Sequence, residues 1–183
     1  MDDNRPYKGY SVNNIKNYNI NINNNDNSRY SRDGIAPFTA SDDINIFMLN
    51  RRIFTTNGLL LVDSNRTVVQ VLDDALVEFD RWDIVGSTIR NVGTGRYMTL
   101  QQNSTSVGVP IITTDGVSSL SNWTIRNQPQ QPILPPPPVR SFIFNDVSRR
   151  PIEVPNNTAN PGQAILQGRL TSGNLAGQSF TIL

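Results

Sequence analysis

The sequence contains no cysteine and no histidine among its 183 residues. Without cysteine there are no disulfides, thiolate metal sites or cysteine nucleophiles. Without histidine there is no Ser-His or Cys-His dyad, no imidazole ligand for zinc, and no side chain with the usual pKa of a general base near neutral pH. An enzyme would have to use carboxylates, tyrosine, lysine or a cofactor. We therefore expect a binding protein rather than an enzyme, with no cofactor and no metal site.

Long apolar runs and a strong net charge are also missing. No apolar run approaches the length of a membrane span, and the formal net charge of +1 provides no field that would attract nucleic acid. The N-terminus lacks the basic and apolar layout of a secretory signal. These features predict a single-domain soluble chain that stays in the cytoplasm or reaches the outside by a non-classical route.

Residues 1–42 differ in composition from the rest of the chain. Nine of the fifteen positions from 13 to 27 are asparagine, and such a polar stretch buries little apolar surface. The alternation in Tyr18-Asn19-Ile20-Asn21-Ile22 would suit one short strand if a partner edge is available. We predict an Asn-rich N-terminal arm that is either flexible or docks on a neighbouring subunit or partner protein.

From residue 43 onward, short apolar runs alternate with turn residues and no helical period is sustained, which predicts an all-β domain. Three copies of one unit end on an aromatic residue, any residue and an aliphatic residue: Trp82-Asp83-Ile84, Trp123-Thr124-Ile125 and Phe180-Thr181-Ile182. The second interval is longer than the first because residues 128–139 form a proline-rich insertion. The repeats span about 43–85, 86–127 and 140–183.

Each repeat also has an asparagine that ends a strand and, after a turn, an apolar tetrad. The asparagines are Asn50, Asn91 and Asn145, and the tetrads are Leu59–Val62, Tyr97–Leu100 and Pro151–Val154. Three units of about four strands cannot each bury a core, but together they can close a barrel and cap one end of it. The predicted fold is therefore a β-trefoil of three repeats of about 40 residues.

The repeats resemble those of ricin-B-type lectins, which close on Gln-x-Trp. The matching triplets are Asp80-Arg81-Trp82, Ser121-Asn122-Trp123 and Gln178-Ser179-Phe180, and the closing aromatics are expected to pack in the core. The resemblance covers residues 43–183 and implies a lectin-type module that binds glycans on a glycoprotein or glycolipid receptor. Such modules often serve as the receptor-binding or accessory component of a toxin or haemagglutinin assembly.

The resemblance also implies where a sugar would bind. The pocket of such a lobe uses an acidic residue in the tetrad, an aromatic platform on the next hairpin and polar groups before the closing motif. The third repeat fits best, with Glu153, Asn174 and Gln178. Leu61 and Thr99 stand in the acidic place in the other repeats, and Gln167 lies near the expected aromatic. The alternative is that Glu153 is a solvated or arginine-paired strand residue.

Five arginines suggest a second site. We predict that they lie in the turns between the first and second strands of the repeats and ring one end of the barrel: Arg51, Arg52, Arg96, Arg149 and Arg150. Such a ring could hold an anionic ligand through charge-assisted hydrogen bonds. The alternative is that these residues provide solubility and form salt bridges to Asp63, Asp83 or Asp146.

A rival function belongs to another class. The two repeats that lack the acidic residue would also fit a trefoil that contacts only protein, as an inhibitor, an assembly factor or a virus-encoded structural component.

Overall fold

The computed structural model describes residues 47–74, 79–101, 104–128, 135, 137–170 and 175–183. These residues form twelve strands, two 3-10 helices (Ser119–Ser121 and Pro155–Asn157) and no α-helix. The strands are β1 (Phe47–Thr55), β2 (Leu60–Ser64), β3 (Thr67–Val71), β4 (Arg81–Val85), β5 (Thr88–Asn91), β6 (Tyr97–Leu100), β7 (Ile111–Thr114), β8 (Trp123–Asn127), β9 (Ser141–Asn145), β10 (Ile152–Glu153), β11 (Leu166–Gln167) and β12 (Phe180–Ile182). The all-β prediction is confirmed. The predicted arm, most of the insertion and Asn174 lie outside the described residues.

The twelve strands divide into three lobes of four: β1–β4, β5–β8 and β9–β12. The outer strands of the lobes form a barrel, in which β1 pairs with β4 and β12, β9 pairs with β8 and β12, and β4 pairs with β5. The middle strands form the hairpins β2–β3, β6–β7 and β10–β11, which meet one another through β3–β7 and single bridges. A six-stranded barrel covered by three hairpins is the β-trefoil architecture that the repeats predicted.

The closing aromatics pack in the core, as predicted. Trp82, Trp123 and Phe180 are all buried in one cluster. Each indole N–H donates to a backbone carbonyl on the second strand of its own lobe, from Trp82 to Leu61 and from Trp123 to Met98, both at 2.9 Å. These bonds satisfy the indole donors, which would be costly to bury unpaired. They also fix the second strand of the lobe against the fourth.

Strand pairing shows which residues are equivalent in the three lobes. Each closing aromatic pairs, on the adjacent strand, with the residue that ends the first strand of the next lobe. The pairs are Trp82 with Asn91, Trp123 with Asn145, and Phe180 with Thr55. Thr55 therefore holds the place that the sequence assigned to Asn50, and that assignment is wrong. The cause is the irregular start of β1, where a bulge between Met48 and Arg51 separates two runs of paired residues.

Candidate functional site

The β10–β11 hairpin presents the acidic residue of lobe three. Ile152 pairs with Gln167 and is fully buried, while Glu153 pairs with Leu166. Successive residues of a strand point to opposite faces. Glu153 therefore points away from the core and is half-buried.

Gln178 orients the Glu153 carboxylate through a hydrogen bond. The Gln178 Nε2 donates to Glu153 Oε2 at 2.9 Å and to the backbone carbonyl of Arg169 at 2.7 Å. The structure thus brings together two of the three residues predicted for this pocket. Gln178 has no exposed surface, so it orients the carboxylate, and Glu153 is the member of the pair that a ligand can reach.

The residue beside Glu153 is Gly168, which has no side chain. A Cβ on Gly168 would lie 2.4 Å from Glu153 Oε2 and 2.5 Å from its Cδ, which are impossibly short distances. The preceding residue, Gln167, is fully buried and donates from Nε2 to the carbonyl of Ser106 at 2.7 Å. The Glu153 side chain therefore lies directly over the backbone, and residues 166–168 of this hairpin provide no aromatic platform.

The equivalent positions in the other lobes carry no acid. Register places Val62 opposite Val69 in lobe one and Thr99 opposite Ile112 in lobe two, where lobe three has Glu153 opposite Leu166. The tetrad of lobe one is therefore offset by one residue, and Val62 rather than Leu61 stands in the acidic place. Val62 and Thr99 are both buried, so neither offers a polar group to a ligand.

Arg51 and Arg52 do not lie where the sequence predicted. They belong to β1 rather than to the turn after it, because that strand continues to Thr55. Arg52 pairs through Nε with Asp80 at 2.6 Å and through Nη1 with Asp73 at 3.1 Å. This arginine crosslinks strand β1 to the segment before β4.

The other predicted arginines occupy turns, but the three lobes are not alike. Asn91 and Asn145 donate their backbone N–H to the carbonyls of Arg96 and Arg150, and Thr55 donates in the same way to Leu59. Lobe one thus has the buried Leu59 where the other lobes have arginine. Arg149 is exposed and has φ 58°, whereas the equivalent residues of the other lobes are Gly58 and Gly95. Five arginines therefore do not form a threefold ring.

Arg96 forms an ion pair with the buried carboxylate of Asp63. Its Oδ2 accepts from Arg96 Nε at 2.9 Å and from Thr94 Oγ1 at 2.7 Å, and its Oδ1 accepts from Thr113 Oγ1 at 2.9 Å. The alternative prediction, a salt bridge to Asp63, is confirmed for this arginine. The burial of Asp63 was not predictable from the sequence, because the residue ends an apolar run before a turn.

Two opposing effects set the pKa of Asp63. Burial alone disfavours the carboxylate and would raise the pKa. The hydrogen bonds from Arg96, Thr94 and Thr113, together with the positive charge of Arg96, outweigh burial and leave the pKa below its ordinary value. Asp63 is therefore ionised at neutral pH and joins lobe one to lobe two.

In the described part of the chain, no three His, Cys, Asp or Glu side chains are grouped closely enough to hold a metal ion. The same residues include no helix of the length and apolarity needed to cross a membrane.

Comparison with known proteins supports the fold. No protein-family model and no curated protein sequence matches the chain. Among solved structures, a ricin B-like lectin of Macrolepiota procera, in complex with lactose, superposes with a TM-score of 0.60 at 13% identity and covers 76% of this chain and 98% of its own. The designed threefold-symmetric protein ThreeFoil gives a TM-score of 0.59 at 15% identity, covering 73% and 96%.

A mosquitocidal holotoxin also matches, with a TM-score of 0.60 at 15% identity. The match covers 76% of this chain but only 18% of the holotoxin. These likenesses establish the β-trefoil fold.

Proposed function

We propose that lobe three is a carbohydrate-binding site and that the protein is a lectin-type binding module rather than an enzyme. The observation that carries this proposal is the half-buried Glu153 carboxylate, held in one orientation by the fully buried Gln178. A buried residue that fixes an accessible acceptor is what preorganised recognition of a polar ligand needs.

The chemistry of the pocket favours a ligand with adjacent hydroxyl groups. Two carboxylate oxygens accept from two neighbouring hydroxyls, and hydrogen bonds to a charged group are worth about 1.5–3 kcal/mol. Residues 151–170, which include this hairpin, contain no aromatic residue, so no ring from the hairpin stacks beside the carboxylate. We infer that binding depends on hydrogen bonds, and that a single site is weak because the aromatic contribution is missing.

The structural neighbours and the composition agree with a binding role. One neighbour is a lectin in complex with lactose, and another is a holotoxin of which the trefoil is a small part. We propose that this module recognises a glycoprotein or glycolipid receptor, and that it is the receptor-binding or accessory component of a toxin or haemagglutinin assembly. The absence of histidine and cysteine from the sequence fits recognition better than turnover.

A glycan array probed with the full chain tests the proposal. Glu153→Gln removes the charge and one acceptor while keeping the shape of the side chain. We expect it to weaken binding to the best glycan by at least about tenfold, as expected for a lost hydrogen bond to a charged group. Asp115→Asn is the matched control, because Asp115 is an exposed carboxylate that pairs only with Arg66 among the described residues. Equal binding by both variants would remove Glu153 from the site.

The second candidate is a trefoil that binds only protein. The buried Val62 and Thr99 favour it, because two of three lobes present no polar group at the pocket position. This candidate predicts that no glycan on the array binds the full chain above background. It would then replace the carbohydrate proposal.

A further inference from the structure

Strands β5 and β6 of lobe two present an arginine beside a tyrosine. Arg90 pairs with Tyr97 across these strands, so the two side chains lie on the same face of the sheet. The guanidinium carbon of Arg90 lies 5.9 Å from the centroid of the Tyr97 ring, within the range of a cation–π contact. Arg90 is exposed and Tyr97 is half-buried. A ligand in solution can therefore reach both side chains.

The other two lobes carry apolar side chains at the same places. In lobe one, Phe54 pairs with Leu60. In lobe three, Phe144 forms a bridge to Pro151. Leu60, Phe144 and Pro151 are buried, and Phe54 is half-buried. The fold therefore needs no charged residue at this position for packing, and the arginine–tyrosine pair distinguishes lobe two.

The turn that follows β5 holds the Arg90 side chain in one orientation. Arg90 Nε donates to the backbone carbonyl of Gly95 at 3.0 Å. A Cβ on Gly95 would lie 3.1 Å from Arg90 Nη2, so the guanidinium lies directly over this glycine. Asp83 pairs with Arg90 from β4, but its carboxylate accepts the backbone N–H of Asn50 at 2.9 Å and forms no ion pair with Arg90 among the described residues. The terminal nitrogens of Arg90 thus form an oriented fork of N–H donors.

The pair lies on the face of lobe two that corresponds to the candidate sugar site of lobe three. Thr99 is the register equivalent of Glu153. Tyr97 precedes Thr99 by two positions on β6, and residues two apart on a strand share a face. Lobe two therefore presents an aromatic ring and a cation on the face where lobe three presents a carboxylate.

The chemistry of the pair fits an acidic sugar. A guanidinium fork binds carboxylates and other oxyanions through two parallel hydrogen bonds. A tyrosine offers an apolar surface to a sugar ring and a hydroxyl for hydrogen bonding. We propose that lobe two binds an acidic sugar, with the carboxylate or sulfate group on Arg90 and the sugar ring against Tyr97. This site goes beyond the proposed lobe-three site and does not depend on Glu153, which lies on another hairpin.

NMR titration of the full chain with matched sugars tests the proposal. The neutral probes are methyl galactoside and methyl glucoside. The acidic probes are the matching uronic acids, which carry a carboxylate at the primary carbon, and the matching sulfate esters at the same carbon. We expect an acidic form to bind about fivefold more tightly than its neutral counterpart, as for one exposed ion pair, and to shift the amide signals of residues 90–97. The comparison of the two acids identifies the preferred group.

Three variants separate charge from stacking. Arg90→Gln should reduce the affinity for the acidic sugars to that for the neutral ones. Arg66→Gln, the control, removes the same charge from an exposed arginine that pairs with Asp115, and should change the affinity by less than about twofold. Tyr97→Leu introduces the residue type that lobe one has in Leu60, so the fold should tolerate it. It should weaken acidic and neutral sugars alike in lobe two, by about threefold or more.

Two results would overturn the proposal. The first is equal affinity for the acidic and neutral forms of both sugars. The second is an equal effect of Arg90→Gln and Arg66→Gln, which would assign the preference to net charge. The lobe-three proposal fails separately: signals of residues 151–168 would then stay unshifted by every sugar while those of residues 90–97 respond to the acidic forms.

Discussion

Replacing Asp63 by alanine removes the carboxylate that joins lobe one to lobe two. Three side chains of lobe two, Thr94, Arg96 and Thr113, lose their acceptor. Asp63 is buried, while the side chain of Arg96 keeps 19% of its surface exposed. The substitution therefore leaves the Thr113 hydroxyl and the Arg96 guanidinium to find other partners, while the Thr94 hydroxyl keeps Asn91 Oδ1 as an acceptor at 3.2 Å.

The cost follows from this geometry. Removing one partner of a buried ion pair typically destabilises a protein by about 3–5 kcal/mol, because the other charge is left unpaired. Arg96 can still reach water, so we expect the low end, about 3 kcal/mol. The comparison is Asp115→Ala, which breaks an ion pair whose side chains are 52% and 73% exposed. That change should cost at most about 1 kcal/mol.

Urea unfolding at neutral pH measures both variants. We expect Asp63→Ala to lower the midpoint without changing the slope, since the surface exposed on unfolding is nearly the same. The difference between the natural protein and Asp63→Ala should also depend on pH. The folded pKa of Asp63 is lowered, so its contribution is present above the unfolded pKa and is lost as pH falls through the folded pKa.

The difference should therefore be constant above about pH 5 and shrink below about pH 4. A cost for Asp63→Ala no larger than that for Asp115→Ala would show that Asp63 does not stabilise the junction between lobes one and two. So would a difference that grows on acidification.

The remaining predictions concern lobe three. Gly168→Ala should displace the Glu153 carboxylate and weaken glycan binding by about tenfold or more. The loss of folding stability should stay below about 1.5 kcal/mol, because the end of the Glu153 side chain can move. Unchanged glycan affinity would contradict this prediction. Arg149→Gly should raise the free energy of unfolding by about 0.5–1 kcal/mol in thermal unfolding, because the backbone φ of 58° suits glycine. A lower midpoint temperature would contradict this prediction. The pair Arg149→Ala with Arg150→Ala should leave glycan binding and its salt dependence unchanged in titration; weaker, salt-sensitive binding would instead favour an anionic-ligand surface.

The fold could be predicted because its signals repeat. The closing aromatic appears once per lobe, and the spacing between successive closing aromatics indicates the length of the repeat even where the loop sequences differ. The residue that ends the first strand of lobe one was assigned wrongly because β1 contains a bulge, and a bulge shifts the register without altering composition. The nearby Asn50 looked like the strand-ending Asn91 and Asn145, whereas Thr55 is their true counterpart.

The candidate site was predictable only in part. Glu153 and Gln178 could be matched by their places in the repeat, and the structure brings them within hydrogen-bond distance. Their division of roles depends on burial, which residue type does not reveal, because glutamine is usually exposed. The significance of Gly168 was also hidden in the sequence, since it depends on where another strand's side chain lies.

A crystal structure of the full chain with the best glycan from the array would show whether lobe three binds carbohydrate through Glu153. We expect two adjacent sugar hydroxyls on the Glu153 carboxylate, with Gln178 still bonded to its Oε2. A glycan bound elsewhere on the trefoil, with Glu153 untouched, would contradict it.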